Sequence, residues 1–329
     1  MDMERRSERG VTLIEMLVAI TIMSVITLLF YSLVTGTMNA NTQLEAHVIL
    51  SSYGQRAINM MKSEVAQSKR IYENDTFGNA LLSRVTLPSA YPRASGTRLP
   101  VIEGSKTSFS TVPTGSVGNS LFFLEDYPPF VYNNKYYIDL YKFIYYYLTE
   151  KNAGDLRIAN LPRYLDLVRF ESNFYASYDQ IMKIPNDPPD RDRDGVLSAL
   201  NAAGVHYVVD TAASSVNDMF YRNSGSSLTK ETSHQIGYSE AKPFIRILSE
   251  EKVTARLRYT IAYNRSSNFP ILTPVPKYAT ETDRPFGFEI LVIGPTSARE
   301  VLLRLVFAAQ IKYRLFSQPM EVVVQAKEY

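Results

Sequence analysis

Arg9-Gly10-Val11-Thr12-Leu13-Ile14-Glu15 leads directly into nineteen uncharged residues, 16–34, and the reading of this stretch decides the architecture of the chain. From Val11 to Val34 there are 24 residues, of which Glu15 alone is charged. A helix over residues 16–34 would be about 28 Å long, enough to cross the hydrocarbon core of a bilayer. An ionised carboxylate at the centre of such a helix costs about 2.5–3.5 kcal/mol, so Glu15 belongs at the interface or beside a partner. A secretory signal peptide has a shorter apolar core, about 7–15 residues, followed by a small-residue cleavage site. Neither feature is found here.

No charge returns until Glu45, and the helical pattern continues past the apolar run. Leu50, Tyr53, Ala57, Met61 and Val65 recur at spacings of three and four, with Gln55, Arg56, Asn59, Lys62 and Lys69 opposite them. This predicts one helix, half in lipid and half seated on a globular domain, with Thr35-Gly36-Thr37 as its weak point.

Beyond residue 70 the pattern turns to β. Strands are expected at residues 81–87, 99–102, 121–124, 136–149, 165–172, 206–210, 244–248, 253–264, 286–293 and 320–326. Tyr132-Asn133-Asn134-Lys135 reads as a hairpin turn, because Asn tolerates positive φ. In residues 136–149, Ile138, Leu140, Ile144, Tyr146 and Leu148 share one face and Tyr137, Asp139, Tyr141, Tyr145 and Tyr147 the other. Residues 196–203 read as one or two helical turns, and residues 211–240 as a polar, irregular excursion. Residues 301–315 suit either a strand or a helix capped at Thr296 or Ser297 with Glu300 in its first turn. The domain layout is residues 1–10 as a leader, 11–70 as the transmembrane and assembly helix, and 71–329 as a β-rich domain. The fold class is α+β, with the long helix on a mainly antiparallel β domain.

Of the 329 residues, 45% are apolar and 21% charged, the balance of a folded protein, and the formal net charge is +2. No concentrated basic face speaks for nucleic acid. There is no cysteine, which excludes thiol catalysis, disulfides and Cys-based zinc sites. G-x-S-x-G, H-E-x-x-H and G-x-G-x-x-G are all absent, and His47, His206 and His234 are far apart in sequence. No enzymatic function is expected. The eight tyrosines between Tyr127 and Tyr147 fit a half-buried sheet surface better than a nucleobase platform.

One motif carries metal chemistry. Asp190, Asp192 and Asp194 with Gly195 occupy positions 1, 3, 5 and 6 of an EF-hand-type loop, and Val196 would give its carbonyl at position 7. Asn201 stands at position 12 in place of the bidentate acid, which weakens a calcium site or calls in another ligand such as Asp187. The same residues read equally well as a solvated acidic turn neutralised by Arg191 and Arg193.

The N-terminal segment resembles that of type IV prepilins and type II secretion pseudopilins. In those proteins a short polar leader ends in Gly, cleavage comes after it, the new first residue is N-methylated, and the fifth mature residue is Glu. The resemblance makes Gly10 the last leader residue, Val11 the new terminus and Glu15 the assembly acid. It covers residues 5–40 closely and 41–70 loosely. Many pilins have a proline at the mature twenty-second position, where this chain has Ser32. The order of a helix, then Phe143-Ile144-Tyr145-Tyr146-Tyr147-Leu148, then Leu167-Val168-Arg169-Phe170-Glu171, also resembles minor pilins. The resemblance implies a minor pilin or pseudopilin, cut by a prepilin peptidase and held in the cytoplasmic membrane by one span. Its C-terminal domain would lie outside the cytoplasm, and other pilins would be partners through the helix. The length points to a low-copy or tip subunit, and Glu15 sets the chain apart from the large tip pseudopilins that lack the acid. Two alternatives remain open: an unprocessed single-pass binding protein or adhesin, and an anchored hydrolase with a dispersed site.

Overall fold

The computed structural model describes residues 12–150, 164–187, 191–243, 258–262, 277–279, 287–311 and 314–327. Its first element is one continuous helix, α1 (Leu13–Ala66). Residues 1–49 and 50–329 form two units. In the first, every described side chain from Thr12 to Val34 is exposed. The helix passes through Thr35-Gly36-Thr37 without interruption, so the expected weak point stays helical.

The second unit begins with residues 50–66 of α1. Leu50, Ala57, Met61 and Val65 are fully buried, whereas Gln55, Arg56, Asn59 and Lys62 are exposed, as their spacing dictates. The helix stops at Ala66, short of the expected residue 70, because the next residues enter a sheet as β1 (Ser68–Tyr72). Then come α2 (Thr76–Leu82), β2 (Ile102–Glu103), β3 (Leu121–Tyr132), β4 (Tyr136–Glu150), β5 (Tyr164–Ser172), β6 (Tyr175–Ser177), α3 (Tyr178–Met182) and α4 (Asp192–Ala202). The remaining strands are β7 (Tyr207–Val209), β8 (Phe220–Asn223), β9 (Leu228–Lys230), β10 (Tyr238–Pro243), β11 (Arg258–Ala262), β12 (Phe288–Ile293), β13 (Arg299–Ile311) and β14 (Arg314–Ala326).

All fourteen belong to one sheet, ordered β2-β12-β13-β11-β5-β4-β6-β7-β8-β9, with β3 also on β4, β1 on β3, β10 on β5 and β14 on β13. Only β2 with β12 and β6 with β7 are parallel among these pairs. The β3–β4 hairpin closes as expected: Asn133 and Asn134 have φ of 52° and 53°, and Lys135 N donates to Tyr132 O at 3.0 Å. Two consecutive positive φ angles make the mirror-image turn that matches strand twist.

Register sorts the central side chains onto two faces. Leu121, Phe123 and Glu125 of β3 stand opposite Tyr146, Ile144 and Lys142 of β4, which meet Arg169 and Glu171 of β5. This face carries residues 50–66 of α1, tied down through Glu64. The other face presents Phe122, Leu124, Phe143, Tyr145, Tyr147, Val168 and Phe170 to a second core with Leu81, Val216, Met219, Phe220 and Ile236. Aromatic pairs bind that core, among them Tyr72–Phe122 at 5.1 Å and Tyr145–Tyr147 at 4.9 Å between ring centroids.

Several expectations change. Residues 81–87 are not a strand: Asp75 caps α2, its Oδ1 accepting from Gly78 N at 2.6 Å, and Val85 keeps only an isolated bridge to Ile236. A Cβ on Gly78 would stand 2.1 Å from Glu73 O, so glycine is required there. Residues 211–240 are built rather than irregular; Met219, Phe220 and Ile236 are fully buried beneath the sheet. Residues 301–311 are strand, because β13 is paired along its length with β14 and also with β12 and β11. Strand β2 covers only the end of residues 99–102, and residues 244–248 lie outside the described part.

Candidate functional site

The N-terminal segment starts from Thr12, the residue preceding α1. Its Oγ1 accepts from Glu15 N at 3.3 Å, while Glu15 Oε2 accepts from Thr12 N at 2.9 Å and from Thr12 Oγ1 at 3.0 Å. This is a capping box, which satisfies two of the amide donors that a helix start leaves orphaned. The spacing Thr12-x-x-Glu15 is its sequence signal, although a lone acid beside an apolar run points as readily to partners outside the helix. Gly10 and Val11 lie outside the described residues.

From Leu13 onward the helix surface is apolar on all sides, with Leu13 80% and Ile14 73% exposed. The hydroxyls of Thr21, Ser24 and Thr27 donate to the carbonyls of Leu17, Ile20 and Met23 at 2.8, 2.8 and 2.7 Å. These three hydroxyls are thereby satisfied within the helix itself. Such a surface suits lipid or packed helices, where every polar group must be satisfied within the protein. By length and composition it is the one described helix able to cross a membrane.

The second assembly of charge lies in the β domain. Arg169 Nε donates to Glu64 Oε1 at 2.9 Å, the Tyr146 hydroxyl donates to Glu64 Oε2, and Arg169 and Lys142 both donate to Glu171. Burial pushes Glu64 up, against the pull of Arg169. Burial also works on Glu171, but hydrogen bonds from Lys142 and Arg169 outweigh it and hold that carboxyl below its ordinary value. Sequence reading missed this cluster, since its members come from residues 64, 125, 142, 169 and 171 and share no local signature.

The metal motif takes another form. From Asp192 onward its residues are helix α4, with Asp192 and Asp194 in the first turn, Gly195 helical, and Val196, Leu197 and Leu200 buried against Ile181 and Val208. Carboxylates in the first turn favour a helix start, and the apolar residues after them give it a face to bury. Val196 and Asn201 lie on the helical turns expected over residues 196–203, whereas Asp192, Asp194 and Gly195 are helical where the loop reading has a turn. Asp192 binds Lys135 at 2.7 Å and the Tyr136 hydroxyl at 2.6 Å, and Asn201 Oδ1 lies 2.5 Å from His206 Nδ1. Asp190 is outside the described residues, and among those described no three metal-ligating side chains converge. His234 is buried against Tyr207 and Phe220, with Nε2 2.9 Å from the Tyr175 hydroxyl.

Compared with known families, residues 5–31 match the prokaryotic N-terminal methylation motif, the type IV prepilin-like signal. The match takes in residues 5–10 ahead of the Gly10–Val11 junction, then Glu15 and most of the apolar run. Neither a curated protein nor a solved structure matches the chain.

Proposed function

We propose that the chain is a minor pilin or pseudopilin, a structural subunit of a type IV pilus or secretion-like filament rather than an enzyme. The observation that carries this reading is the methylation motif over residues 5–31, which runs directly into the exposed apolar length of α1. A prepilin peptidase cuts after Gly10, Val11 becomes the N-methylated terminus, and α1 waits in the cytoplasmic membrane with residues 50–329 outside the cytoplasm. Assembly then exchanges lipid for the helices of neighbouring subunits. Glu15 already turns its carboxylate toward the N-terminal end of the helix, where it holds Thr12 N. An ammonium on Val11 would arise one residue away, and pairing relieves the desolvation penalty of both ions.

Co-expression with a prepilin peptidase, followed by mass spectrometry of the membrane-extracted chain, tests the reading. Loss of ten residues and an N-methylated Val11 are expected. An intact Met1 on the native protein would overturn the assignment and leave a simple membrane anchor.

A further inference from the structure

Under residues 50–66 of α1, the sheet face gathers Glu125 from β3, Lys142 from β4, and Arg169 and Glu171 from β5, while Glu64 comes down from the helix. That makes three carboxylates against two cations. Arg169 serves Glu64 and Glu171, and Lys142 serves Glu171. Glu125 is left over: it is 5% exposed, its Oε2 has no hydrogen-bond partner, and no cation described lies within ion-pair distance. Its other near neighbours are the Tyr127 hydroxyl, on its own strand, and Ser68, opposite it on β1. Fully ionised, the cluster would hold one unbalanced negative charge away from water, and an uncompensated buried charge is strongly unfavourable.

We propose that Glu125 carries a proton in the folded domain, and that this proton is a structural component of the seat on which residues 50–66 of α1 rest. A neutral carboxyl balances the cluster at zero charge and leaves both cations to Glu64 and Glu171. Burial, reinforced by the charge of Glu64, lifts Glu125 from 4.5 to about 8, in agreement with the count. Between those two values the folded chain holds a proton that the unfolded chain has lost. Stability therefore falls as pH rises through that window, by about tenfold in the folding equilibrium for each pH unit from this group alone. Below the window the effect vanishes, and above it the full penalty remains. Helix α1 is thus held more firmly on the sheet in mildly acidic surroundings than in alkaline ones.

The test compares the full chain with Glu125→Gln in detergent micelles by denaturant unfolding from pH 5 to 9. Gln has the shape of the protonated acid without its titration. Equal stability near pH 5 is expected, with the variant gaining on the wild type by about tenfold per pH unit up to about pH 8. Parallel curves overturn the proposal. Should Glu125→Gln not fold, infrared spectra of the wild type decide. A protonated-carboxyl band, shifted by ¹³C-glutamate labelling, is expected to persist at pH 7 and to fade near pH 8. Its absence at pH 7 overturns the proposal.

Discussion

Arg169 Nε stands 2.9 Å from Glu64 Oε1 across 105 positions of sequence, and this contact ties the last turns of α1 to the middle of the sheet. Both side chains are almost wholly buried, at 5% and 10% exposure. Arg169 also reaches Glu171 and Tyr146 also reaches Glu64, so the contact belongs to a network.

Removing one partner of a buried pair leaves the other charge uncompensated, at about 3–5 kcal/mol. Arg169→Met should lower unfolding stability by that order, and Glu64→Gln by less, since Gln still accepts from the Tyr146 hydroxyl. The double variant should lose less than the sum of the two. A strictly additive cycle in denaturant unfolding would mean that the two side chains do not act together.

Glu15→Val should leave insertion and cleavage intact, because the segment becomes more apolar. Under the function proposed above, it should reduce incorporation into filaments, since the amine of a processed Val11 would lose its partner. Thr12→Val removes the cap hydroxyl with its bond to Glu15 Oε2 but keeps the carboxylate, a helix-start loss of about 1 kcal/mol, and should affect assembly far less. Filament yields measured in cells without the wild-type copy separate the two. Equal yields from Glu15→Val and wild type would show that the carboxylate is dispensable.

Burial, aided by Arg84, lowers His234 from 6.5 to about 4. The folded domain keeps it neutral where the unfolded chain protonates it. Its contribution is complete above pH 6.5 and is lost as pH falls toward 4, about 3 kcal/mol in all. His234→Phe should therefore flatten the acid limb of the stability profile, while leaving the Tyr175 hydroxyl without its partner. Over pH 4.5–6.5 this slope opposes that of Glu125, so the difference between variant and wild type is the quantity to measure.

Gly54 marks a close approach of α1 to β14. A Cβ there would stand 2.3 Å from Met320 Sδ and 3.1 Å from the Phe307 ring. Gly54→Leu should destabilise the domain by about 1–3 kcal/mol through overpacking. Met320→Ala in the same chain should restore much of the loss, because the flexible thioether is the nearest obstacle. No recovery in thermal unfolding would place the obstacle at the Phe307 ring instead.

The sequence by itself determined what depends on neighbours along the chain. Its helical spacing put Leu50, Ala57, Met61 and Val65 on the buried side of α1, and its two asparagines closed the β3–β4 turn. Strict alternation placed Tyr145 and Tyr146 on opposite faces of β4. The Gly10–Glu15 spacing, with the apolar run behind it, identified the N-terminal signal. What only the tertiary structure decided depends on distant residues meeting. Residues 211–240 look polar along the chain, yet Met219, Phe220 and Ile236 complete a core whose other half comes from β3, β4 and β5. Residues 301–311 became strand because partners on both sides satisfy their amides, which no local propensity can settle. Glu64, Glu125 and Arg169 read separately as ordinary surface charges. Only the register of three strands and one helix turn brings them together, and low dielectric then makes their protons and pairings part of the fold.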